Sequence, residues 1–116
     1  MKTLDEIIPK EYKIDLMKID TGSGYEKFVF LGATETLKNT LCINFPAIES
    51  LCKKQNYHPK EIFDVLKENK FTVCAIFTPN TLTILPEDYK PESGDYIAIK
   101  NMDDFLKRSK YRVDEK

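Results

Sequence analysis

Tryptophan is missing from this chain, histidine occurs once, arginine twice and glycine only four times in 116 residues. Each shortage narrows what the protein can do. The single histidine, His58, leaves one imidazole for any Cys–His or Ser–His mechanism, and histidine is the usual base in such sites. With Arg108 and Arg112 as the only guanidinium groups, planar bidentate grip on phosphate is scarce. The longest apolar run, Val73–Phe77, is far short of the ~20 residues a membrane helix needs. No signal-peptide pattern opens the chain, because Met1–Lys10 carries Asp5 and Glu6 and no apolar stretch. Cys42, Cys52 and Cys74 cannot all pair within one chain, so buried thiols in a reducing cytoplasm are expected.

What is present points to a folded domain. Aromatic residues make up 11% and the net charge is only -1, a composition that excludes disorder. Charged residues reach 32%, above the ~25% usual for globular chains, around an ordinary apolar fraction of 41%. The near-neutral balance lacks the basic footprint of nucleic-acid binding. The local cluster of Lys107, Arg108, Lys110 and Arg112 suits the negative end of a helix. At this length residues 1–116 form one domain.

The pattern along the chain gives the elements. Thr3 and Glu6 have capping-box spacing for a short turn over Leu4–Ile8 before Pro9. Tyr12, Ile14 and Leu16 alternate with Lys13 and Asp15, the period of a strand running to Asp20. A turn at Thr21-Gly22-Ser23-Gly24 predicts that Tyr25–Leu31 returns as the second strand of a hairpin. Residues 32–44 are ambiguous, because Leu37 and Leu41 have helical spacing among several threonines. Asn44, Pro46 and the stripe Phe45, Ile48, Leu51, Cys52 predict a helix from Asn44 to Asn56. Pro59 starts another, with Ile62, Phe63, Val65 and Leu66 inward. Phe71–Phe77, Leu82–Leu85 and Tyr96–Ile99 read as strands, the first two joined through Thr78–Thr81. Asn101 caps a last helix with Met102, Phe105 and Leu106 inward. The expected architecture is α+β, a mainly antiparallel sheet of about five strands packed against a helix pair and a C-terminal helix. Phe28, Phe30, Phe63, Phe71, Phe77 and Phe105 fit its core stripes.

No catalytic set emerges. His58 directly precedes Pro59, which suits a helix entry better than a base. The three cysteines and His58 lack the two-to-four-residue spacing of a zinc knuckle, so neither metal nor other cofactor is expected. Gly32-Ala33-Thr34 after a strand could hold an anion on its backbone amides, but a strand-end turn is the default reading of three small residues. Glu87, Asp88, Glu92 and Asp95 crowd one Pro-rich loop, where carboxylates are ordinarily solvated. Residues 48–66 resemble a helix-turn-helix, with Cys52 in the first helix, Asn56 at the turn and Ile62 and Val65 in the second. That resemblance implies that Lys60, Asp64 and Lys67, within 47–69, would face DNA. Gln55 replaces an apolar packing residue, and Glu61 and Asp64 would repel phosphate.

The reading that follows is a small, non-enzymatic, cytoplasmic protein-interaction domain. Adaptors and inhibitors of the kind made by phages and mobile elements are such proteins. Its partner is a protein, with nucleic acid disfavoured and no membrane. Tyr89, Tyr96, Tyr111 and Arg108, in or beside polar segments, are the candidate contact residues. A DNA-binding regulator using the helix pair is the alternative, and a small-ligand binder or enzyme the third.

Overall fold

The structure, a computed structural model, describes residues 3–86, 89 and 93–113, with the side chains of Phe77 and Thr78 excepted. Phe77, Glu87, Asp88 and Glu92 of the sequence reading therefore lie outside the described groups. Helix α1 (Leu4–Ile7) begins as expected, with the Thr3 hydroxyl accepting from the Glu6 N–H at 3.3 Å. Strand β1 (Ile14–Lys18) also forms where alternation places it.

The returning strand does not form. Residues 26–31 are helix α2 (Glu26–Leu31). Aromatic and β-branched residues favour strand, but tertiary contacts override that preference here. Glu26 and Phe30, four residues apart on one helical face, are both buried, and the Glu26 carboxylate accepts from the Thr21 N–H at 2.9 Å and hydroxyl at 2.7 Å. In consequence Phe28 points outward at 44% exposure instead of joining the core.

Helix α3 (Thr34–Lys38) settles the ambiguous stretch. Its first amides do hold an anion, and that anion is the chain's own Asp5. The Asp5 carboxylate accepts from the N–H groups of Glu35 (3.0 Å) and Thr36 (2.8 Å) and from the Thr36 hydroxyl (2.8 Å). Lys100 donates from Nζ to the Leu37 carbonyl near the other end and lies 4.7 Å from the centre of the Phe71 ring.

The helix expected from Asn44 begins later. Thr40–Ala47 is strand β2, and helix α4 is Glu49–Lys54. Phe45 satisfies both a period of two with Ile43 and Ala47 and a helical stripe with Ile48 and Cys52. Pairing on both sides decides for the strand. Pro46 is tolerated because Asn44 turns its carbonyl to the Ile19 N–H of the β1 side, and Pro46 faces that side beyond the end of β1.

Helix α5 (Pro59–Glu68), strands β3 (Thr72–Thr78), β4 (Thr81–Ile84) and β5 (Gly94–Ile99), helix α6 (Met102–Lys107) and strand β6 (Arg112–Val113) are the remaining elements of the described residues. Asn101 caps α6 through the Asp104 N–H at 3.1 Å. The sheet runs β1-β2-β5-β3-β4-β6. Its inner pairs are antiparallel, while β1·β2 and β4·β6 at the two edges are parallel. The architecture is α+β, with six strands among the described residues rather than about five and a mostly antiparallel sheet. One face carries Ile43, Phe45, Val73, Tyr96 and Ala98 against α2 to α5, and Phe63 and Tyr96 rings lie 4.9 Å apart. The other face carries Cys42, Cys74, Leu82, Ile97 and Ile99 under α6, which packs there through Met102, Phe105 and Leu106. No helix of the described residues is long and apolar enough to cross a membrane.

Candidate functional site

The four candidate contact residues do not form one surface. Tyr96 sits on β5, between β2 and β3, and faces the helical layer at 3% exposure. The surface exposure expected of it is thereby corrected. Tyr89 is half-buried beside it, with the two hydroxyls 3.2 Å apart. Tyr111 lies on the opposite face, its ring 5.7 Å from Phe105. Arg108 is exposed and bridges Asp15 at 3.0 Å and Asp104 at 3.5 Å.

His58 is a helix entry. Its Nδ1 accepts from the Lys60 N–H at 3.2 Å, while its own N–H donates to Glu61 at 2.7 Å. Asn56 adopts the left-handed conformation expected at the turn, at φ 63. Lys60 and Lys67 are exposed and Asp64 is half-buried, while α5 packs mainly against α2 and β3. Glu61 is engaged by Lys27 at 2.8 Å, and that hydrogen bond leads the causes that hold its carboxyl below the usual range.

All three thiols are free and buried. Burial pushes Cys42 up to about 12 and Cys74 to about 11, and raises Cys52 as well. Thiols so shifted stay protonated and are poor nucleophiles. Among the described residues, no three His, Cys, Asp or Glu side chains cluster as metal ligands would.

The surface that sequence reasoning missed lies between α1 and α2. A cavity of about 430 Å³ opens there, walled by Leu4, Tyr25, Phe28 and Val29 with Thr3 and Thr21 at its rim. Tyr25 is 45% exposed and Leu31 53%, and Ile7 on α1 reaches 60%. Phe28 and Leu31, three residues apart, share one face of α2, as Leu4 and Ile7 share one face of α1. The only sequence signal for this surface was apolar residues at helical as well as strand spacing in 25–31.

Buried polar contacts hold this surface in place. Gly24 turns at φ +83, and a Cβ there would come within 2.4 Å of the Leu51 carbonyl oxygen. The Gly24 carbonyl accepts from the Tyr57 hydroxyl at 2.6 Å, and Gln55 donates to the Ser23 carbonyl at 3.2 Å. Gln55, out of place in a DNA-reading turn, thus has a structural task. The Phe28 ring meets Tyr57 edge-on at 5.7 Å, and the Lys27 ammonium lies 5.4 Å from the centre of the Tyr57 ring. No known family model, curated protein or solved structure matches the chain.

Proposed function

We propose that this chain is a non-enzymatic protein-interaction domain, acting as an adaptor or inhibitor, whose contact surface is the apolar face of α1 and α2. One observation carries the reading: Ile7, Tyr25, Phe28 and Leu31 stand 44–60% exposed on the two helices that flank a walled cavity. Folded chains rarely leave large apolar side chains grouped in this way unless something covers them. Tyrosine beside an apolar pocket also suits a binding hot spot, where a partner's aliphatic or aromatic side chain is fully desolvated. The raised thiols and the helix-capping His58 support binding over catalysis. Free cysteines suit a reducing cytoplasm.

The test is capture from nuclease-treated lysate by the wild type and by a Tyr25→Ser/Leu31→Ser double variant. A stoichiometric protein retained by the first and lost by the second is the expected result. Equal capture by both would remove the surface from the reading. The DNA-binding alternative keeps one observation in its favour, the left-handed Asn56 between two helices with Lys60 and Lys67 exposed on the second. Glu61 and Asp64 on the same helix oppose it, and affinity for mixed duplex DNA is expected no tighter than ~10⁻⁴ M at physiological salt.

A further inference from the structure

The second face of the sheet has a feature that the interaction reading does not use. Strand register lays two rows of side chains side by side across β1, β2 and β5. Leu16 pairs with Cys42 and Cys42 with Ile99, and in the next row Lys18 pairs with Asn44 and Asn44 with Ile97. Helix α6 covers this face only in part, since it is six residues long. A groove of about 380 Å³ is left between β1 and the α6 side, where Phe105, Ser109 and Tyr111 form the wall. Its floor is Leu16, Cys42 and Ile97, and Leu16 remains 63% exposed.

The polar groups of the groove are unequal. Asp15 is neutralised by Arg108 at 3.0 Å. Lys18 makes no ion pair among the described residues, and the half-buried Asn44 side chain has no hydrogen-bond partner among them. The register sets these two donors opposite one another, at the end of an aliphatic and aromatic trough. Burial keeps the Cys42 thiol neutral, so the floor contributes no negative charge. A trough of this volume stands at the small end of ligand sites, which pair apolar walls with a few directing polar groups.

We propose that the groove binds a small amphipathic carboxylate. An aliphatic chain lies on Leu16, Cys42 and Ile97 against Phe105 and Tyr111, and the carboxylate is met by the Lys18 ammonium and the Asn44 amide. The site is independent of the α1–α2 surface and lies on the opposite face of the sheet.

The experiment is an NMR titration of the full chain with octanoate, octanol and octylamine. Octanoate should give saturable shifts at Leu16, Asn44, Ile97 and Phe105, with octanol and octylamine weaker. Lys18→Glu should weaken octanoate by about tenfold or more, the effect of losing one charge-assisted contact. Leu16→Asp, an exposed change that leaves the fold intact, should abolish it. Equal affinity for octanol and octanoate, with no effect of Lys18→Glu, would overturn the proposal. So would shifts confined to Leu4, Tyr25 and Phe28, or no saturation. Tighter binding of an acetylated tetrapeptide ending in leucine would replace the free carboxylate with a chain terminus and also overturn it.

Discussion

Single contacts in this molecule work through backbone that would otherwise be orphaned. The Tyr57 hydroxyl satisfies the Gly24 carbonyl, in a turn pressed against Leu51. Tyr57→Phe should therefore cost about 1–2 kcal/mol in urea unfolding, the penalty of leaving a buried acceptor unpaired. Tyr25→Phe, on the exposed side of the same turn, should leave the midpoint unchanged. Asp5 acts at a distance in sequence, because it caps a helix thirty residues away. Burial raises its pKa, but the Glu35 and Thr36 amides outweigh that and hold it below the ordinary carboxylate value. The stability it contributes is complete above an unfolded value of about 3.9 and is lost as pH falls through the lower folded value. Asp5→Asn should thus cost roughly 0.5–1 kcal/mol at pH 7, discounted for solvent screening. The difference from wild type should close in acid, as melts across a pH series would show.

Among the elements, those with both a periodic stripe and a cap could be read from the sequence. Helix α5 has Pro59 at its start, His58 and Glu61 in a capping arrangement and four buried residues on one side. Helix α6 has Asn101, and β3 and β5 have apolar residues on both faces because neighbours cover both. Phe63, 3% exposed between Phe45 and Tyr96, should lose about 3–5 kcal/mol as alanine, measured by chemical denaturation. Where the reading failed, two periods fitted the same residues. In 25–31 the choice between strand and helix rested on Glu26 finding Thr21 and on β1 finding β2, both invisible to local pattern. In 44–47 it rested on partners for β2 that lie on either side of it in space. The candidate site shared that fate, since its apolar face exists only once 26–31 is a helix. Tyr96 was misplaced for a related reason, because the polar residues before it sit in a loop while its own strand lies at the centre of the sheet.

At the scale of the whole molecule, stability comes from the two apolar layers, so neither EDTA nor reductant should shift the melting temperature. The buried thiols give a direct probe of that closure. A disulfide-exchange reagent should modify none of the three cysteines in the native protein over minutes and all three once the chain is unfolded. The order of the strands has a further effect, on biosynthesis. Strands β2 and β3 are not neighbours; β5 (Gly94–Ile99) is threaded between them, and it follows both of them and β4 in the chain. A nascent chain emerging from the ribosome therefore holds two unfinished half-sheets, each with an apolar strand edge open to association. Only when Gly94–Ile99 clears the exit tunnel can β5 join them. Chains arrested before that point should be protease-sensitive and bound by chaperones, whereas chains released after it become resistant in a single step.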